Sequence, residues 1–218
     1  MNRDGVVVLV SGGPDSLALV QRLRTRGQMI WPLYVRCGFR WEAAEMFWLT
    51  RWLARLSHPS LKPLTISDLS LRSISAGHWS LTGRGVPSRS SADAAVYLPA
   101  RNVLLLTHAA IYAVTRRVSR LAVGTLASNP FGDATPNFFH AFAGCLRQAL
   151  GRSFSIAAPL RRVTKTQVIA ETPAAWLALT FSCLRPRGSR HCGRCNKCAE
   201  RQRAFRQAGV PDPTRYAR

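Results

Sequence analysis

Short apolar runs alternate with amphipathic stretches along this chain. Val6-Val7-Val8-Leu9-Val10 stops at Ser11-Gly12-Gly13-Pro14-Asp15-Ser16, and beyond that turn Leu17, Leu19, Val20 and Leu23 recur at helical spacing. A β-branched run, a glycine turn and a 3.6-residue period predict a strand, a loop and a helix. Further strands are expected at 30–35, 121–123 and 155–157, with helices near 17–26, 42–56, 102–117 and 137–150. This alternation predicts the α/β class, a doubly wound parallel sheet. Ligands of such sheets bind at the carboxyl ends of the strands, where residues 11–16 and the segment after Gly124 fall. Residues 70–93, rich in Ser, Gly and Arg, have weak periodicity and read either as a mobile lid or as a disordered excursion.

The tail follows a different pattern. Cys183, Cys192, Cys195 and Cys198 form a Cys-x8-Cys-x2-Cys-x2-Cys array, and four thiolates complete a tetrahedral zinc shell. Gly193, directly after the second ligand, lets the backbone turn so that neighbouring thiolates face one ion. The competing readings are buried free thiols or two disulfides, and disulfides require an oxidising compartment. Met1-Asn2-Arg3-Asp4 leads into an apolar run too short for a signal peptide, and the run from Val103 to Val114 is broken by Thr107 and His108. A cytoplasmic protein without a membrane span is expected, with zinc at the cysteines. Cys37 and Cys145 stand apart and read as ordinary buried residues. The 218 residues suffice for one α/β core with a small appendage, divided as 1–170 and a zinc-binding lobe at 171–218; a homodimer is compatible with this.

Candidate chemistry sits first in the glycine loop. Its backbone N–H groups and the positive end of the next helix can cradle phosphate, and the loop lacks the Gly-Lys-Ser ending of a Walker A motif. A plain tight turn is the alternative. Asp15 and Ser16 add a metal ligand and a hydroxyl donor, which favours the cradle. Arg101 precedes a helix that opens at Asn102 as N-cap, so it is either a phosphate contact or a solvated neighbour of a capped helix. Lys165, after Thr164, has the same two readings.

Composition changes the picture once. A formal charge of +21, from 31 Lys and Arg against 10 Asp and Glu, suits a polyanion partner such as tRNA or DNA. A solvated arginine-rich surface is the simpler explanation, because the basic residues are scattered apart from local clusters such as Arg116-Arg117 and Arg161-Arg162.

The motifs together resemble one family. Ser11-Gly12-Gly13-Pro14-Asp15-Ser16 resembles the pyrophosphate loop of the PP-loop ATP pyrophosphatases, which share an adenine nucleotide alpha hydrolase-like fold. Leu98-Pro99-Ala100-Arg101-Asn102, Ala158-Pro159-Leu160, Thr164-Lys165, the cysteine array and the tail Ala208-Gly209-Val210-Pro211-Asp212-Pro213 resemble, in order, the 7-cyano-7-deazaguanine synthases of queuosine precursor synthesis. The resemblance implies ATP contacts from Leu9, Val10, Ser11, Gly12, Gly13, Pro14, Asp15, Ser16, Leu17, Arg101, Asn102 and Lys165. Asp15, Ser16 and Lys165 would be catalytic, with magnesium near Asp15 and structural zinc at the four cysteines. It also implies a small carboxylate substrate, 7-carboxy-7-deazaguanine, and ammonia, with ATP activating the carboxylate. On the substrate side the chain departs from the family: Arg36-Cys37-Gly38-Phe39 stands where the family has Asp-Tyr-Gly-Gln, and residues 126–136 are shorter. A homologue acting on another carboxylate, or directly on nucleic acid, is the alternative.

Overall fold

The computed structural model describes residues 5–217, so Met1 to Asp4 lie outside the described residues. The strands β1 (Gly5–Leu9), β2 (Met29–Arg36), β3 (Thr65–Asp68), β4 (Arg120–Ala122) and β5 (Ser155–Ala157) form one parallel sheet in the order β3-β2-β1-β4-β5. The helices are α1 (Pro14–Thr25), α2 (Glu42–Leu56), α3 (Arg72–Ser75), α4 (Trp79–Thr82), α5 (Arg101–Thr115), α6 (Pro136–Leu150), α7 (Lys165–Glu171), α8 (Ala174–Leu177) and α9 (Asn196–Ala208). β1 is the topological switch: one crossover set runs outward through β2 and β3, the other through β4 and β5. The doubly wound expectation therefore holds.

Both faces of β1 are covered, which explains its unbroken apolar run. Val7 packs into a cluster with Leu33, Leu106, Ala109 and Leu121. Val6 and Val8 join Leu17, Val20, Ile30, Leu49 and Trp52 on the other face. β3 was not foreseen, because Thr-Ile-Ser-Asp has no apolar run; it is an edge strand whose residues alternate between half-buried and exposed. Residues 70–93 are not the expected featureless loop. They hold α3 and α4, and their far end is tied to the C-terminal segment: Asn196 Nδ2 donates to Ser91 O (2.8 Å) and Asp93 Oδ1 (3.1 Å), and Asn196 N donates to Pro87 O (2.9 Å). Cys37 is buried as expected, but Cys145 is exposed on α6, a correction of the sequence reading. Its helical position faces away from the sheet, a distinction that residue type alone does not carry.

Candidate active site and cysteine cluster

At the carboxyl end of β1 the chain folds into a compact loop. Ser11 N donates to Ser16 Oγ at 2.9 Å, the two hydroxyls lie 3.0 Å apart, and Gly13 N donates to Ser11 Oγ at 3.2 Å. Gly12 is required by space: a Cβ there would lie 2.8 Å from the carbonyl oxygen of Glu45 on α2. The Gly12 carbonyl accepts from Phe181 N at 2.7 Å, which ties the loop to the chain just before the cysteines. Gly13 caps α1 and Pro14 occupies its first turn, where a missing N–H costs nothing.

Asp15 and Lys165, 150 residues apart, meet here. Lys165 Nζ donates to Asp15 Oδ1 at 2.7 Å and Oδ2 at 2.6 Å. Lys165 opens α7 behind a capping box formed by Thr164 and Gln167. Burial disfavours its ammonium, but the charges of Asp15 and Glu200 outweigh this and raise its pKa, so it stays protonated.

This pair borders two adjoining cavities of about 320 and 240 Å³ that share Ser11, Asp15, Trp41, Glu45, Arg101 and Lys197 as walls. Together they form one cleft over the switch point, between the loop after β1 and the segment after β4, where doubly wound sheets bind ligands. A separate crease of about 220 Å³ between α6 and β5 is mainly apolar and stands apart from these groups. Six of the ten acidic residues line the cleft: Asp15, Glu42, Glu45, Asp93, Asp133 and Glu200.

The other expected residues divide. Leu9, Val10 and Ser16 line the cleft with Ser11 and Asp15, and Gly13 and Pro14 line its smaller half, whereas Leu17 is fully buried beneath. Arg101 lines both halves; its Nε is buried without a partner and its guanidinium lies 5.8 Å from the Phe39 ring centroid. The N-cap of α5 is Ala100, held at φ 55°, rather than Asn102. Asn102 instead donates to Asp133 through both its backbone N (3.0 Å to Oδ2) and its side chain (3.0 Å to the carbonyl), so the loop after β4 caps α5 from outside. Arg36 forms a bidentate pair with Asp68 at 2.7 and 2.9 Å and is not among the walls of the cleft.

Phe39 and Phe131 belong to the two loops expected on the substrate side, whereas Trp41, Glu42, Glu45, Trp79 and Tyr97 were not anticipated as walls. Phe39 stacks on Trp41 at 4.8 Å and Trp41 on Trp79 at 5.7 Å, while Tyr97 and Phe131 pair at 5.1 Å. Glu42 Oε1 accepts from Cys37 N and Gly38 N, clamping the turn after β2. Glu45 accepts from Tyr34 Oη at 2.8 Å. Burial raises its pKa to about 7 against the opposing pull of Arg101 and the Tyr34 hydrogen bond. Burial and the Glu45 charge also push the Tyr34 phenol up, so it remains a donor. A signal did exist: Phe39, Trp41, Glu42 and Glu45 directly follow a strand's carboxyl end.

At the other side of Phe181 the four cysteine sulfurs lie within 4.8 Å of one another. Cys192 to Cys198 and Cys183 to Cys195 are both 3.9 Å. A tetrahedral zinc with bonds of about 2.3 Å needs sulfurs about 3.8 Å apart, so the set fits the ion. Backbone N–H groups of Leu184, Arg185, Cys192 and Arg194 donate to the sulfurs at 3.2 to 3.4 Å, an arrangement that favours thiolates. Gly193 has φ 72° and sits under the Tyr216 ring, confirming the tight turn. Among the described residues no helix is long and apolar enough to cross a membrane.

A parallel β3-β2-β1-β4-β5 sheet with this serine-glycine loop at its switch point gives the chain the PP-loop α/β fold. One solved relative in fold, a predicted subunit of tRNA methyltransferase from Methanocaldococcus jannaschii, superposes with a TM-score of 0.50 at 16% identity, covering 76% of this chain and 72% of its own. Residues 5–209 match the family described as Queuosine biosynthesis protein QueC, and the chain belongs to that family. It is 32% identical over 232 residues to the 7-cyano-7-deazaguanine synthase of Cellvibrio japonicus, covering 100% of both chains. It is 31% identical to 7-cyano-7-deazaguanine synthase 1 of Desulfitobacterium hafniense, covering 94% of this chain and 93% of the relative.

Proposed function

We propose that the protein is an ATP-dependent carbon–nitrogen ligase that converts 7-carboxy-7-deazaguanine and ammonia to 7-cyano-7-deazaguanine. The observation that carries this reading is the convergence of the Ser11–Ser16 loop, the Asp15–Lys165 pair and Arg101 on one cleft walled by stacked aromatic rings. The buried, partnerless polar atoms around it, Arg101 Nε, Thr125 Oγ1 and Ser182 Oγ, fit a polar ligand such as a nucleotide.

A carboxylate is a poor electrophile, and ATP supplies AMP as a leaving group. The carboxylate oxygen attacks the α-phosphorus, pyrophosphate departs, ammonia then displaces AMP to give the amide, and a second ATP carries off the amide oxygen to leave the nitrile. In this reading the loop N–H groups hold the phosphates, and Lys165 and Arg101 offset the charge that develops on pyrophosphate. Asp15 would hold the magnesium that accompanies the nucleotide, and Ser16 keeps the loop in shape through Ser11. Phe39, Trp41 and Trp79 offer a surface for a flat deazapurine. Glu45, with a pKa of about 7, takes protons from the attacking amine. Cys183, Cys192, Cys195 and Cys198 would hold zinc, which with four thiolates would serve structure and fix residues 171–218 as a lobe against 1–170.

The test is mass spectrometry of a reaction with ATP, magnesium, ammonium and 7-carboxy-7-deazaguanine. Nitrile with AMP and pyrophosphate is expected. ADP and orthophosphate instead would overturn the ligase chemistry, and AMP formation only with a different carboxylate would overturn the substrate.

A further inference from the structure

The positive charge of this chain is concentrated away from the cleft. In a parallel sheet whose crossovers are helices, every crossover helix ends at the amino edge of the strands, opposite the ligand side. Here α1 ends with Arg22 and Arg24 and is followed by Arg26 before β2. α2 ends with Arg55, and Lys62 lies in its connection to β3. α5 runs into Arg116 and Arg117, and Arg120 opens β4, while α6 carries Arg147 in its last turn before β5. Residues 21–29, 54–64, 113–121 and 147–155, which lead into β2 to β5 at this edge, contain these nine cations and Arg152 but no Asp or Glu. Among the described residues none of these nine cations is in an ion pair.

Cations at helix C-termini are favoured by the macrodipole, but that effect accounts for roughly half a charge per helix, about two charges for four helices against nine cations. The surplus is a basic strip along this edge. Five strands at about 4.8 Å spacing make it roughly 20 Å long, a length over which duplex nucleic acid carries about twelve phosphates. We infer that the amino edge of the sheet is a docking face for the phosphate backbone of double-helical nucleic acid, separate from the cleft.

The side chains favour a duplex over other polyanions. Arginine pairs with phosphate through its planar fork, and eight of the nine cations are arginine. A single strand needs open aromatic platforms, whereas Trp31 at this edge is covered by Arg116 at 5.3 Å and Lys62 at 5.8 Å. Insertion into an anionic membrane needs exposed apolar anchors, and none of the exposed large apolar residues Phe47, Ile66, Ile74, Tyr97 and Ile111 lies in these segments.

The experiment measures anisotropy of labelled 20-base-pair duplex DNA and RNA, and of single strands of the same length, against the full chain over a salt series. It is run beside co-sedimentation with phosphatidylserine vesicles. Two variants of equal net charge are compared: Arg22→Glu/Arg26→Glu/Arg116→Glu/Arg117→Glu at the edge, and Arg84→Glu/Arg89→Glu/Arg161→Glu/Arg162→Glu elsewhere, all at exposed positions. The edge variant is expected to lose at least tenfold in duplex affinity near 0.1 M salt. Its log–log salt slope should fall by about 3 to 4, since each phosphate contact is worth roughly 0.9. The other variant should stay within threefold of wild type, and both should keep wild-type melting temperature and zinc content. Equal losses in the two variants, preference for single strands, or binding to vesicles without binding to duplex would overturn the inference.

Discussion

Gly12→Ala tests whether the geometry of the loop, and not its sequence alone, makes the site. The added Cβ would lie 2.8 Å from Glu45 O and 3.2 Å from Glu45 Cα, so the loop or α2 must retreat by roughly 0.6 Å to reach an ordinary contact of about 3.4 Å. Neither side is loose. The loop is held by the Ser11 N to Ser16 Oγ bond and by Phe181 N on the Gly12 carbonyl, and Glu45 sits in α2 with its N–H bonded to Trp41 O at 2.9 Å. Overpacking of this kind costs about 1–3 kcal/mol, and for a chain of this size each kcal/mol moves Tm by about 2–4 °C. A displacement approaching 1 Å at a reacting centre costs on the order of 100-fold in rate. Gly12→Ala is therefore expected to melt about 3–10 °C lower and to release pyrophosphate about 10- to 100-fold more slowly. Gly13→Ala, whose Cβ would meet the Ser11 side chain at 3.3 Å and Phe181 O at an ordinary 3.6 Å, should melt closer to wild type than Gly12→Ala. Differential scanning fluorimetry and a coupled pyrophosphate assay read both quantities. Wild-type melting and turnover in Gly12→Ala would refute the argument.

Three further outcomes follow from the site. Cys195→Ser should lose the bound metal and most of the folded stability of the C-terminal segment, because binding energy at a structural site is folding energy; zinc analysis by mass spectrometry and chelator-dependent melting check this. Lys165→Met leaves the Asp15 carboxylate without its 2.6 Å partner and should cut pyrophosphate release by at least 100-fold with zinc content unchanged. Glu45, raised by burial from 4.5 to about 7, binds more protons folded than unfolded between those values. Stability should therefore fall as pH rises from about 4.5 through 7, by on the order of 1–3 kcal/mol. Glu45→Gln should flatten that dependence in urea titrations, and an unchanged slope would reject the buried acid.

Contiguous motifs were legible before folding. The Ser11–Ser16 turn and the Cys192-x2-Cys195-x2-Cys198 spacing are set by local backbone geometry, and the apolar run of β1 announced a strand covered on both faces. Exposure was less legible: Cys145 was expected to be buried and is exposed, and residues 70–93 looked unstructured although Ser91 and Asp93 bond to Asn196. Edge strand β3 escaped because half-exposed strands do not need apolar residues on both faces.

The unforeseen parts of the site share a physical cause, distance along the chain. Asp15 and Lys165 could each be suspected from their neighbours, but their ion pair requires α1 and α7 to begin at the same end of the sheet. Tyr34 and Glu45 meet because β2 delivers its last residues beside the first turns of α2. Asn102 was expected to act as a cap, yet Asp133 from the loop after β4 supplies that acceptor. Local sequence specifies which groups are available and how the nearest few residues turn. Which acid lies beside which base, and which arginines gather at the opposite edge, follows from the handedness and order of the crossovers, since parallel strands send every strand-to-helix loop to one end and the C-terminus of every crossover helix to the other.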